Sequence, residues 1–434
     1  MTSDRKTHIV VLGAGFAGIS ASRTLLKAGL AVTLIDHHPY NTFQPLLYQV
    51  ATGGLNPGDI TYPLRTFVAK HTPRKGRKSR LRYRRSSVVS FDKETRTVHC
   101  DDGVNVGYDY LLICNGTTAN FFGIPGAEQY AMPMYTRADA LKVRDTLFGG
   151  LERIAGMSDP GTGGFTTLIV GGGATGVEMA GTLAEMRDVS LPRAYPELNQ
   201  EKLKVVLVEM APQLLTPFAK SLQDYTYRQL ERRHVEIRLG TEISLVHPDR
   251  VDFSDGTSMS VDLVVWAAGI AAYNRVKDWD LPQGKGGRIR VGEDLMVVGE
   301  DRIFAAGDTA VNPDDPLPQL AQPAIQGGQH VARQIIHLLN GEPTQAFRYH
   351  DKGSMATIGE LAAVVEFPKG LAVRGPIAWV LWLGVHIMSL LGGRNRLTTM
   401  INLSARYLSF RKGGGIVGDI RDTNARKAID DKAY

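Results

Sequence analysis

Two short glycine-rich segments hold the clearest chemistry in this chain. Gly13-x-Gly15-x-x-Gly18 follows the apolar run His8 to Leu12, and Gly171-x-Gly173-x-Thr175-Gly176 follows Thr167 to Val170. In such a segment the first glycine permits a tight turn. The second lets backbone approach a pyrophosphate, and the third lets the next helix pack close. That helix points free N–H groups and a positive dipole end at the phosphates. An acid closes the next apolar run in each case: Asp36 after Ala31 to Ile35, and Glu209 after Val205 to Val208. A carboxylate there accepts hydrogen bonds from a ribose diol. Glu209 also repels a 2′-phosphate, and Met210, Ala211 and Pro212 follow it without a basic residue, which favours NADH over NADPH.

The elements that position these residues recur as well. Asp102-Gly103, Asp109 and Gly116 have the same spacing as Asp255-Gly256, Asp262 and Gly269. Each copy contains an apolar strand, Tyr110 to Cys114 and Leu263 to Ala267. Helices are expected at about 16–28 and 174–186, and the proline-containing stretch Arg187 to Lys202 is expected to be a loop or short extra helix. The chain therefore holds two copies of one nucleotide-binding design, and two dinucleotides in one protein most often exchange electrons.

A length of 434 residues suits two to three domains, and a hydrophobic fraction of 43% with 47 glycines suits an α/β enzyme. Two cysteines, Cys100 and Cys114, are too few for a disulfide framework and point to a reducing compartment. With a strand beginning at His8, no signal peptide is expected, and the protein is expected to face the cytoplasm. Net charge is +6, and Lys70 to Arg85 holds nine basic residues and no acid. That segment is expected to be a solvated loop running into an edge strand, with contact to anionic lipid as the alternative. Tyr83 is its only aromatic, so nucleic acid is not expected as a partner. No His/Cys/Asp/Glu grouping has metal-ligand spacing, and no metal is expected.

The late segment Phe304-Ala-Ala-Gly307-Asp308 resembles the second FAD motif of two-dinucleotide flavoproteins. By that resemblance the first unit holds FAD and the second holds NADH. Relatives that use flavin-side cysteines carry them just after the first acidic strand; here that stretch, Phe43-Gln-Pro-Leu-Leu-Tyr-Gln49-Val-Ala-Thr52-Gly53-Gly-Leu55, has none. The same stretch resembles type II NADH:quinone oxidoreductases. So do Gly171 to Gly181, Leu320-Ala321-Gln322-Pro-Ala-Ile-Gln326-Gly-Gly-Gln329, and Lys352-Gly-Ser-Met-Ala-Thr-Ile-Gly359. Cys114-Asn115-Gly116 departs from the more usual Ala-Thr-Gly.

The resemblance implies oxidation of NADH with two-electron reduction of a membrane quinone, menaquinone or ubiquinone, without proton pumping. It places FAD at Gly13, Gly15, Gly18, Asp36, Gln49, Thr52, Gly53, Val89, Asn115, Gly116, Gly307, Asp308, Ala321, Gln322 and Lys352. It places NADH at Gly171, Gly173, Thr175, Gly176, Glu178, Glu209, Ala268 and Gly269. Lys352 is expected to stabilise the anionic reduced flavin. Gln322 and Gln326 are expected to hydrogen-bond quinone carbonyls or flavin edges. Glu178 is a candidate proton relay, or alternatively only a ligand for the nicotinamide amide or ribose. Two other readings fit the same motifs: a soluble reductase of the ferredoxin or rubredoxin type, and a signalling flavoprotein of the apoptosis-inducing-factor type.

The apolar stretch Ile377 to Leu391 spans roughly 22 Å as a helix, short of the ~30 Å hydrocarbon core. Trp379 and Trp382 are expected at interfacial depth. The segment Arg396 to Phe410 places Leu397, Met400, Ile401, Tyr407 and Leu408 near one face, flanked by Arg394, Arg396, Arg406, Arg411 and Lys412. Both are expected to lie on a membrane surface, with core or dimer-interface packing as the alternative. His386 is expected to be buried or interfacial rather than catalytic. The expected architecture is α/β: two Rossmann-like dinucleotide-binding domains, the NADH domain (126–295) inserted between the FAD segments (1–125 and 296–350), then a membrane-associating region (351–434). A peripheral, cytoplasmic-side homodimer at the cell membrane is expected.

Overall fold

The computed structural model describes residues 7–72 and 80–408, with side chains described through residue 405. Arg74, Lys75, Arg77 and Lys78 of the basic segment lie outside the described residues. So do the side chains of Arg406, Tyr407 and Leu408, together with Phe410, Arg411 and Lys412.

The first Gly-x-Gly-x-x-Gly segment joins β1 (His8–Leu12) to α1 (Phe16–Lys27), and β2 (Ala31–Asp36) returns from it. Next come α2 (Leu47–Ala51), the basic strand β3 (Leu81–Arg85), and strands β4 (Val88–Asp92), β5 (Thr97–Cys100) and β6 (Asn105–Gly107). Strand β7 (Tyr110–Ile113) and helix α3 (Arg137–Ala155) lead to the second copy. It comprises β8 (Phe165–Val170), α4 (Ala174–Glu185) and β9 (Leu203–Glu209). Helix α5 (Lys220–Glu231) and β10 (Glu236–Leu239) follow, then β11 (Ile243–Val246), β12 (Arg250–Phe253), β13 (Ser258–Ser260) and β14 (Leu263–Trp266). Strand β15 (Ile303–Ala305), helix α6 (Ala321–Leu339), strands β16 (Ser354–Gly359), β17 (Ala362–Glu366) and β18 (Ala372–Arg374), and helices α7 (Pro376–Ser389) and α8 (Gly393–Leu408) follow.

These elements form two compact units. The first comprises Met1–Asn41, Tyr62–Thr118 and Ile270–Asp351; the second comprises Thr42–Thr61, Ala119–Gly269 and Lys352–Tyr434. The units cut the chain differently from the sequence division: residues 270–295 group with the first nucleotide fold, and 42–61 and the C-terminal segment with the second.

The first unit is built on a parallel sheet of order β15-β7-β1-β2-β3. Its central strand, β1, pairs in register from His8↔Ala31 to Leu12↔Ile35 and from Ile9↔Tyr110 to Leu12↔Ile113. Both its faces are covered, so Ile9, Val10, Val11 and Leu12 form a continuous apolar run. The basic strand β3 is the sheet's edge, where Arg84 pairs with Asp102. The second unit repeats the plan in the order Met132–Pro133, β14, β8, β9, β10. Its core includes Leu168, Val206, Val208, Phe253 and Trp266. Each unit also carries a three-stranded antiparallel sheet, β4-β5-β6 in the first and β11-β12-β13 in the second.

The repeated Asp-Gly…Asp spacing has a structural cause. Gly103 and Gly256 take left-handed conformations (φ +77° and +83°) at the hairpin turns, where Asp102 and Asp255 accept from the N–H groups of Val104 and Thr257. Asp109 accepts from His8 N–H (2.7 Å), and Asp262 from Thr166 N–H (2.8 Å). The second acid thus clips the start of the last strand to the start of the first in both units.

Three sequence boundaries shift. Cys114 lies one residue beyond β7 and not within it. Helix α4 stops at Glu185, and a π-helical segment, Met186–Ser190, with a short helix, Leu191–Ala194, occupies the expected insertion. The last helix begins at Gly393 rather than near Arg396.

Candidate functional site

The glycine turn of the first unit is fixed by sterics. Gly13 takes φ +95°, and a Cβ there would lie 2.3 Å from the Cys114 carbonyl oxygen. A Cβ on Gly18 would lie 1.9 Å from the Gly13 carbonyl oxygen, so the third glycine seats the helix on the turn itself. Gly15 faces open space, and no side chain caps α1. That leaves its first N–H groups directed at a ligand position. Ala14 N–H donates to Asp36 Oδ2 (2.6 Å), and His38 N–H donates to Oδ1 (2.7 Å). The acid therefore clasps the turn it faces.

The second unit repeats this geometry. Gly171 takes φ +110°, a Cβ on Gly176 would lie 1.8 Å from the Gly171 carbonyl oxygen, and Gly173 faces open space. Gly172 N–H donates to Glu209 Oε2 (2.5 Å), and Ala211 N–H donates to Oε1 (2.7 Å). Gly173 and Thr175 are exposed at the uncapped start of α4, while Ala268 and Gly269 lie just past the carboxyl end of β14. Ligands of such sheets bind outside the carboxyl ends of the strands.

In the first unit several side-chain atoms near the strand ends and the start of α6 are buried and unsatisfied by protein. They are Asn115 Oδ1, Thr309 Oγ1 and Gln322 Oε1. Buried polar atoms in folded proteins normally have partners, so this set suits a polar ligand. Asp308 follows β15 and Gly307. Burial pushes its carboxyl up to about 6, opposed by the positive charge of Arg288. The open glycine turn, the clasped Asp36 and these orphaned acceptors fit an FAD. Ala321 begins α6, where Pro323 is tolerated within the first turn.

Other expected residues are distributed as follows. Gln326 does not present a free amide. Its Nε2 donates to the His350 carbonyl (2.9 Å), and its Oε1 accepts from His350 N–H (3.0 Å). Val89 lies in the β4-β5-β6 sheet with an exposed side chain. Gln49 and Thr52 are buried, and Thr52 donates to the Tyr48 carbonyl (2.9 Å). Gly53, at φ +71°, lies against Phe148. Lys352 is exposed just ahead of β16. Both cysteines are free and buried, and burial raises both thiols, so neither is poised as a thiolate.

Glu178 belongs to a cluster the sequence did not connect. It is 7% exposed, and its Oε1 accepts from Thr357 N–H (3.3 Å) and from the Trp382 indole N–H (3.2 Å). Burial pushes the carboxyl up to about 8, outweighing those two donors. Trp382 stacks on His386 (ring centroids 4.1 Å apart), whose Nδ1–H donates to the Trp382 carbonyl (2.7 Å). Burial pushes His386 down to about 4. Tyr48 and Phe43 complete an aromatic surround.

Trp379 and Trp382 do not face outward as interfacial anchors; both are buried in the second unit. The outer face of α7 is aliphatic instead, with Ile377, Val380, Leu381, Val385 and Met388 exposed. On α8, Leu397, Met400 and Ile401 are exposed, while Asn395 and Asn402 donate to Thr61 O and Asp59 Oδ2. Among the described residues no helix is long and apolar enough to cross a membrane. Asp36, His37 and His38 lie close enough to share a cation, but Asp36 already takes two backbone N–H groups.

Paired glycine-turn sheets of this kind define the pyridine nucleotide-disulphide oxidoreductase class, whose family model matches residues 7–328. A model of the NDH2 C-terminal domain matches residues 351–412. The chain is 32% identical over 94% of its length to the type II NADH:quinone oxidoreductase Ndh of Mycobacterium tuberculosis, covering 90% of that protein. It is 29% identical over 87% of its length to the Staphylococcus aureus type II NADH:quinone oxidoreductase, covering 92% of it. In fold it resembles NDH2 from Plasmodium falciparum in complex with NADH, with a TM-score of 0.84 over 95% of this chain and 100% of that one, at 21% identity. The chain belongs to the type II NADH:quinone oxidoreductase family.

Proposed function

We propose that this protein oxidises NADH and reduces a membrane-dissolved quinone to quinol, with FAD as its resident cofactor and without moving protons across the membrane. The observation that carries this reading is the second glycine-turn cradle with its Glu209 clasp, set in the same unit as a buried, proton-holding carboxyl. The bound flavin supplies a two-electron relay between the soluble donor and the lipophilic acceptor.

The chain's own residues do the rest. Glu209, held by Gly172 and Ala211, presents carboxylate lone pairs to a ribose diol and repels a 2′-phosphate. The open start of α4 at Gly173 and Thr175 receives the pyrophosphate. In the first unit the Gly13 turn, Asp36, Asn115, Asp308 and Gln322 would hold the flavin nucleotide. Gln322, with its unsatisfied carbonyl, is the better candidate than Gln326 for contact with the reacting groups. Quinone reduction consumes two protons. Glu178 keeps a proton up to a pH of about 8 and is the group we assign to supply one.

The exposed aliphatic faces of α7 and α8 support peripheral membrane attachment, which we place on the cytoplasmic side, and we assign the same surface to assembly as a homodimer. The test is a steady-state assay of purified, FAD-loaded protein with NADH and short-chain menaquinone or ubiquinone analogues. Quinone-dependent NADH consumption is expected. Electron delivery only to a ferredoxin or rubredoxin would contradict the reading.

A further inference from the structure

We propose that Trp382, carried on the helix with the exposed aliphatic face, is a positioning residue that orients and polarises the Glu178 carboxyl through its indole N–H. This inference rests on the assignment of Glu178 to proton supply.

The geometry is specific. Trp382 is 1% exposed, and its only donor reaches Glu178 across 204 residues of sequence. An indole offers one N–H and no acceptor, so it stabilises the carboxylate and not a carboxyl proton aimed at it. The second donor, Thr357 N–H, belongs to the backbone of β16 and cannot be tuned by side-chain identity. The indole is held in place by His386 stacked on it and by Tyr48 beside it. Helix α7 packs on β17, and β16 packs on α4, so the donor is braced from several sides.

Among the described residues no other charged group is hydrogen-bonded to this carboxyl. Of the elements packed on α4, β8 and β16 carry no ionisable side chain and α2 presents Tyr48; α7, which reaches α4 through the Trp382 bond, presents His386. The charges on the remaining elements are engaged elsewhere. Glu209 is at Gly172 and Ala211, and Glu185 at Glu360 N–H. Arg187 is at Asp188 and the Arg233 carbonyl, and Arg233 at Gln229. Lys220 pairs with Asp224, and Tyr225 lies under Arg374. Lys204, Tyr227, Arg228 and Glu231 are exposed. His386 is held neutral well below the range in which Glu178 titrates.

Removing a donor that favours the charged form raises the carboxyl's proton affinity. A hydrogen bond to a charged group corresponds to a shift of about one pH unit or somewhat more. The same shift should appear in the pH profile of quinone reduction, whereas flavin reduction by NADH should not change.

The experiment uses FAD-loaded protein: wild type, Trp382→Phe, Glu178→Gln, and protein with the sulfur isostere of tryptophan incorporated at Trp382. The isostere keeps ring shape and loses the N–H, which separates the hydrogen bond from packing. Infrared difference spectra across pH follow the protonated carboxyl C=O stretch, and stopped-flow traces follow each half-reaction. The expected result is a band that disappears in Glu178→Gln and whose midpoint rises by about one unit in both N–H-deficient proteins, with the quinone profile moving alongside. A Glu178 band with an unmoved midpoint in the isostere overturns the role of Trp382 alone. A quinone pH profile unchanged by Glu178→Gln overturns the proton-supply assignment, and this inference with it.

Discussion

Glu178 stays protonated to about pH 8 because burial opposes its charged form more than Thr357 and Trp382 support it. A carboxyl whose folded value is raised stabilises the fold below its unfolded value, and that stabilisation is lost as pH rises through the folded value. Wild-type protein should therefore lose stability relative to Glu178→Gln between about pH 4.5 and about pH 8, by a few kcal/mol in all. Thermal melts of the two proteins across that window check this; parallel curves would refute it. Glu209→Ala removes the clasp on Gly172 and the carboxylate we propose for the ribose, so the NADH Kd should rise about ten- to hundredfold, with quinone reoxidation of reduced protein little changed. Gln322→Leu should raise the apparent quinone KM about tenfold and spare NADH binding; half-reaction kinetics separate the two. The glycine turns and their acids were legible in sequence because their spacing follows from backbone sterics and from the carboxylate that clasps each turn. The Glu178–Trp382 bond was not, since no periodicity links residues 204 positions apart. Gln326 has a type that suits a quinone carbonyl, while its engagement by His350 is tertiary and carries no sequence signal.

At the level of elements, the duplication was plain from Asp-Gly…Asp…Gly spacing, and the structure supplies the reason: a hairpin turn and a strand-to-strand clip in each copy. The C-terminal helices were half legible. Their apolar content was evident, but which face turns outward depends on packing. One side of α7 and α8 is core, through Trp379, Trp382 and Leu403, and the other is exposed among the described side chains. Removing everything after Gly370 would thus strip the core along with the surface. Point changes on the outer face are the better probe. Val380→Asp with Met388→Asp should lower partition onto anionic lipid vesicles about tenfold or more, by placing charge where apolar surface enters the bilayer boundary. Flavin reduction by NADH should be unaffected. Unchanged vesicle binding would show that this face does not meet lipid.

For the whole molecule, the account holds that electrons enter from a soluble dinucleotide and leave to a lipid-dissolved acceptor, with no cysteine pair between. The paired glycine motifs pointed to electron exchange between dinucleotides, and the cysteine-free stretch 43–55 to direct delivery from the flavin, whereas the quinone acceptor came from the resemblance to the type II family. The compact units were less legible, because residues 42–61 and 270–295 join their units through packing rather than motif. The direct test is a single-turnover experiment on purified, FAD-loaded protein: reduce it anaerobically with one equivalent of NADH, then mix it with a short-chain quinone. The flavin absorbance should bleach on NADH addition and recover in full within the turnover time once quinone arrives. A flavin that bleaches and stays reduced in the presence of quinone would contradict the account.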